Sequence, residues 1–159
     1  MYQLHDQLRQ FLGLGLSIHI GACDGAGIPT LTRALAVQQR AQARLALLLP
    51  ALPSQPLLDA VAQTGQVACV FCQPRSHIAI QIKGREARVE PARLADWPEL
   101  TRNHREFCAE IALFGFGPEF ADAWFDVPDA VLQVVSFLPT GAWNQTPGPG
   151  AGAPMELFQ

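Results

Sequence analysis

The chain has 159 residues, a size suited to one domain, and its 49% hydrophobic content is ample for one core. A net charge of −3 without any run of Lys or Arg argues against a nucleic-acid surface. The best candidate for a membrane span, Leu45 to Leu52, is short and ends in prolines, which argues against one, and an N-terminus with Asp6 and only one early Arg9 makes a poor signal peptide. The expectation is a soluble cytoplasmic protein.

In chain order, Met1 to Leu12 reads as a short amphipathic helix, with Leu4, Leu8, Phe11 and Leu12 on one face and Gly13 and Gly15 stopping it. Ser17 to Asp24 and Thr30 to Gln38 read as strands joined by the turn Asp24-Gly25-Ala26-Gly27-Ile28-Pro29. On the second strand Leu31, Arg33, Leu35 and Val37 share a face, so Arg33 interrupts an apolar row. A guanidinium there needs an anion to offset lost hydration, either a carboxylate from elsewhere at a barrel rim or a ligand phosphate. Arg44 to Pro50 is a third strand. Pro53-Ser54-Gln55-Pro56 opens a helix over Leu57 to Gln63, with Ser54 as its N-cap. The free N–H groups at such a helix start serve an ordinary cap or receive an anion.

Gln66 to Glu90 is a long hairpin and the organising element. Its first strand is apolar on nearly every residue, as in a strand buried on both faces. In its second, Ile78, Ile80 and Ile82 take one face, while His77, Gln81 and Lys83 share the other with Ala79. After Gly84 the apolar residues change parity to Ala87 and Val89, which marks a bulge or sharp bend. Cys69 and Cys72 form a C-x-x-C within a strand, so they point to opposite faces and cannot grip one ion. All four cysteines are expected as reduced thiols, and no metal site is expected. Asp96-Trp97-Pro98-Glu99 reads as a capping box for a helix to Phe114. Its buried face carries Leu100, His104, Phe107 and Ile111, while Arg102, Arg105, Glu106 and Glu110 form a solvated one. Pro118 to Phe125 is a second short helix, and Ala130 to Leu138 the last strand. Residues 139–159, rich in Pro and Gly but carrying Trp143, Met155, Leu157 and Phe158, read as an extended C-terminal arm that is neither helix nor central strand. The whole, 1–159, reads as one mainly β domain with peripheral helices, an α+β fold built on a small antiparallel barrel.

This order of elements, with SIHIGACDGAGIPTLTRAL, LALLLPALPSQPLLDAV, GQVACVFCQP, HIAIQIKGREARVEP and NQTPGPGAG, resembles the FMN-binding split barrel of the pyridoxamine 5′-phosphate oxidase-like superfamily. The resemblance covers nearly the whole chain. It implies a six-stranded antiparallel split β-barrel and a homodimer with FMN in clefts at the subunit interface. Carried over by position, Arg33 with Thr32 and Ala34 beside it, and Ser54 with Gln55, would hold the flavin phosphate. Leu48, Leu49 and Pro50 would run along the ring, with Gln81 and Lys83 adding polar contacts. His77 is the one candidate proton donor on the polar wall, or else a satisfied rim histidine. The basic residues that follow the helix-start serine in the true oxidase are replaced by Gln55 and Pro56, and no Arg follows Arg105, which argues against that oxidase activity itself. The implied function is an FMN-dependent oxidoreductase acting on a small molecule. The alternative is a binding module that has lost FMN or takes haem or a deazaflavin, with His19, His77 or His104 as haem ligands; a structural or stress-related dimer without a ligand is a third reading.

Overall fold

A computed structural model describes residues 3–126 and 131–159. The expected beginnings of the first helix at Met1 and of the last strand at Ala130 lie outside the described residues. Eight strands and four α-helices follow in the order α1 (Asp6–Phe11), β1 (Ser17–Cys23), β2 (Pro29–Ala34), β3 (Ala36–Gln39), β4 (Leu45–Pro50), α2 (Ala51–Thr64), β5 (Val67–Cys72), β6 (Ala79–Pro91), α3 (Trp97–Ala112), α4 (Pro118–Phe125), β7 (Leu132–Asn144) and β8 (Pro154–Met155). Every pairing is antiparallel, and the sheet runs β2-β1-β5-β6-β7-β4-β3, with β8 added to β7.

The strand count departs from six because the expected strand Thr30–Gln38 is bent. Its first half pairs with β1 and its second with β4, at opposite ends of the sheet path. Leu35, at the bend, donates its N–H to Leu48 O at 2.8 Å. One chain segment therefore hands over from one edge to the other and curls the sheet into a barrel. Counted as one bent strand, β2 and β3 restore the expected six, and the short β8 is additional.

The core lies inside this curl. Ile18, Ile20, Cys69, Phe71, Ile82, Val135 and Phe137 are fully buried there, with Leu57 and Val61 of α2 packed among them. The bulge expected at Gly84 is present, as a register shift between Lys83 and Gly84. A Cβ on Gly84 would overlap the Phe137 ring and stand 3.0 Å from Leu138 O, so the close approach excludes any side chain. A second irregularity follows between Arg85 and Arg88, where Glu86 takes φ 52°.

Several expectations give way to tertiary structure. β5 is buried on alternate residues rather than on both faces. The helix expected at Leu57 begins at Ala51, with Pro50 as its N-cap, so Ser54 lies inside it and is not a cap. Asp96 does not cap α3 with its side chain. Instead its carboxylate accepts from Arg93 N at 2.8 Å and pairs with Arg40 at 2.9 Å. Glu110, expected on a solvated face, is buried and takes Arg75 at 2.8 Å and Gln73 at 3.0 Å. Nor is the segment after residue 138 wholly an arm. β7 runs on through Pro139 to Asn144 as an interior strand, and Pro139 is tolerated because it faces the Gly84 bulge. Beyond it β8 pairs with β7, and Leu4 bridges to Phe158.

Candidate functional site

The outer face of the barrel is half covered. Over β3, β4 and the start of β7, the outward residues Leu35, Ala36, Ala46, Leu48, Leu132 and Val134 are buried beneath Leu100 of α3 and Phe125 of α4. Over β2, β1, β5 and the first part of β6 the described helices reach only its margins, where Trp124 of α4 lies against Arg33 and Glu110 of α3 against Gln73.

Residues directly opposite in an antiparallel ladder share a face, so register defines two rows on this open half. One row is Arg33, His19, Val70, Gln81 and Trp143. The next is Leu31, Gly21, Ala68, Lys83 and Gly141. All five members of the first row are half-buried, between core and solvent.

Arg33 is the unusual member. Its Nε is buried with no hydrogen-bond partner among the described residues. Its guanidinium lies 4.4 Å from the Trp124 ring centroid, so α4 covers one flat side. Burial pushes the guanidinium below its ordinary pKa. The cation is thus partly desolvated and stacked, with its buried Nε unanswered among the described residues. An anion in that plane would receive charge-assisted bonds.

The other sequence-derived candidates divide between the two faces. Thr32 points inward, and its hydroxyl shares a 3.3 Å hydrogen bond with that of the fully buried Ser54. These two residues meet each other, whereas Arg33, one residue on, faces the opposite way. Ala34 and Leu49 belong to the inner core, and Leu48 lies beneath α3 and α4. Pro50 is buried and pairs with Leu132. Gln55 is exposed on α2 and donates to Asp59 at 2.8 Å. Gln81 stands in the row of Arg33, and Lys83 in the adjoining row, with its Nζ 4.9 Å from the Trp143 ring centroid.

His77 does not continue the polar wall. It sits before β6 in an exposed turn with φ 55°. Its ring centroid is 6.4 Å from that of Phe114. His104 is spoken for by Asp122 at 2.9 Å and by the edge of Phe125. His19 alone of the expected haem ligands lies on the open face. Cys69 is buried inward and Cys72 half-buried outward, as strand parity requires. Sequence reasoning missed Trp124 and Trp143 as members of this region. The only local signal for Trp143 was an aromatic in a Pro/Gly-rich segment, and Trp124 reaches Arg33 only through helix packing.

No family model matches the sequence, and no curated protein matches it. Solved structures do. HupZ of Group A Streptococcus aligns with a TM-score of 0.56 at 10% identity, over 94% of this chain and 100% of that one. General stress protein 26 of Bacillus anthracis gives 0.53 at 10% identity, over 97% of each chain. A candidate pyridoxamine 5′-phosphate oxidase of Lactobacillus delbrueckii gives 0.51 at 13% identity, over 89% of this chain and 93% of that one. The chain shares the split-barrel fold of these proteins. At these identities the likeness is one of fold. No helix among the described residues of this split barrel is long and apolar enough to cross a membrane.

Proposed function

We propose that this split barrel is an FMN-binding oxidoreductase for a small molecule, working as a homodimer whose second copy closes over the row of Arg33, His19, Val70, Gln81 and Trp143. The observation that carries the reading is Arg33, a half-buried cation whose buried Nε has no partner among the described residues. That is the chemistry a phosphate or phosphate ester satisfies. Trp124 supports the same assignment, because stacking fixes the guanidinium plane and leaves its edge donors free.

Arg33 holds the phosphate in this reading, and Ser54 acts indirectly. By bonding Thr32 it fixes the strand from which Arg33 projects. Gln81, in the same row, supplies a neutral amide for a heterocycle edge, and Val70 between them gives an apolar surface for a ring to lie on. FMN, when bound, supplies the redox chemistry. The chain's own residues bind, orient and, with the second copy in place, exclude water. His19, between Arg33 and Val70 in the row, is the side chain placed to hold or pass a proton there.

The test is titration of the purified protein with FMN, followed by quenching of flavin fluorescence and by absorbance near about 370 and 450 nm. Saturation at one FMN per chain, weakened about tenfold or more by Arg33→Ala, supports the reading. A protein that takes up no FMN, or one that instead carries a Soret band, overturns it. Unchanged affinity in Arg33→Ala moves the phosphate away from Arg33.

A further inference from the structure

A recess lies on the open half of the barrel, one row from Arg33 and toward the β1–β2 turn. It is a groove of about 1300 Å³. Ligand pockets commonly enclose roughly 300–1,000 Å³, so a molecule of tens of atoms fits along it. Its floor is apolar and made of small residues. Gly21 and Ala68 share its floor, with the side chain of Leu31 leaning over Gly21.

The polar groups around it are unequally engaged. Asp24 accepts from Ala26 N and Ile28 N through Oδ1 alone, both at 2.9 Å, and keeps its negative charge. Glu86 faces Arg44 at 3.9 Å. Thr64 donates to Cys23 O and to Ala60 O, and Thr140 to Lys83 O. Lys83 and Arg85, which also line the groove, have no carboxylate partner among the described residues. Lys83 rests over the Trp143 ring, which orders its stem without neutralising it. With Glu86 set against Arg44, Lys83 and Arg85 outnumber the Asp24 carboxylate, so the groove keeps one net positive charge.

We propose that this groove binds an amphipathic organic anion, with the apolar body on the Gly21–Ala68 floor and the carboxylate or phosphate head on Lys83 and Arg85. The two parts have different roles. The floor supplies contact area without selecting charge, and the cations select for an anionic head over a neutral or cationic one of the same body. Lys83 and Arg85, two apart on β6 with the buried Gly84 between them, project from the same face of the strand.

The probe is decanoate, titrated by calorimetry, with amide shifts of Gly21, Gly65 and Gly84 reporting position. Saturable binding that moves those amides is expected. Decanol, which has the body without the charge, inorganic phosphate, which has the charge without the body, and decylamine should each bind at least about tenfold more weakly. The variant carrying Lys83→Ala and Arg85→Ala should lose about tenfold, and Lys83→Arg should keep most of the affinity. Ala68→Leu, which fills the floor, should weaken decanoate with both cations still in place. Equal binding of decanol and decanoate, an unchanged affinity in the double alanine variant, or no saturable binding overturns the proposal. Arg33→Gln separates it from the flavin reading. Decanoate binding retained while FMN is lost keeps the groove a distinct site, and loss of both refutes it as one. A chain that takes decanoate but no FMN leaves the groove standing and removes the flavin.

Discussion

Asn103 is the side chain on which the bend in the barrel depends most directly. It is 1% exposed on α3. Its Oδ1 accepts Leu16 N–H at 3.0 Å, and its Nδ2 donates to Leu16 O at 3.2 Å and to Leu35 O at 2.8 Å. It thus joins the entry to β1 and the β2–β3 bend to one helix. Asn103→Ala leaves three backbone groups to find other partners in a dry site. A buried group left unpaired costs about 1–3 kcal/mol, and local relaxation recovers part, so the expected loss is about 3–5 kcal/mol. Against a total stability on the order of 5–15 kcal/mol this is a large fraction. At roughly 2–4 °C per kcal/mol for a chain of this size, Tm should fall by about 10 °C. Urea unfolding followed by tryptophan fluorescence and far-ultraviolet circular dichroism should show a lower midpoint with an unchanged m-value. Asn103→Asp sharpens the test. It keeps an acceptor for Leu16 N–H but turns a carboxylate toward two carbonyls, so its loss should be at least as great. A loss below about 1 kcal/mol in the alanine variant, or wild-type stability in the aspartate variant, refutes the assignment of the bend to this residue.

Three other outcomes follow from features already described. Gly84→Ala places a Cβ into the Phe137 ring, 2.8 Å from its Cε2, and should destabilise by about 3 kcal/mol or more in the same urea assay; a neutral result would mean the bulge can shift. Burial disfavours the charge of Glu110, but hydrogen bonds from Arg75 and Gln73 outweigh it, and Glu90 is lowered chiefly by Ser136 with Arg40 adding to it. Both folded values are depressed, so their stabilisation is complete above the ordinary carboxyl value and disappears as pH falls through the folded ones; Glu110→Gln should be less stable at neutral pH yet lose less on acidification, and parallel pH profiles would contradict this. Burial pushes the Cys69 thiol well above its ordinary range, whereas Cys23 is exposed, so a thiol reagent should modify Cys23 first and Cys69 only on unfolding; early labelling at Cys69 would contradict its burial.

What could be read from the sequence was what depends on local period. Alternation identified the Gln66–Glu90 hairpin, the change of parity located the Gly84 bulge, and the same parity argument separated Cys69 from Cys72. The bend at Leu35 left no local trace. The run from Thr30 to Gln38 alternates without Gly or Pro, and it bends because its halves find partners at opposite ends of the sheet. Ser54 carried a cap signal, but prolines at positions 50 and 53 suit an earlier first turn, and the hydroxyl serves Thr32 instead. On α3 a helical stripe admits either Asn103 or His104, and only the position of Leu16 and Leu35 selects Asn103. Within the candidate site, Arg33 was conspicuous as a charge in an apolar row. Its stacking on Trp124 and its separation from Ser54 required the fold.

The bent segment has a consequence for how the molecule behaves among its own copies. An open sheet ends in two strands whose unpaired N–H and C=O groups can recruit another chain. Here both ends belong to one short piece of backbone, β2 and β3. The far side of β2 is turned toward α2 through the Thr32–Ser54 bond, and Gln39 at the end of β3 donates to Arg9 O at 3.0 Å. Both edges are therefore only a few residues long, and a short edge is a poor template for fibrous self-association.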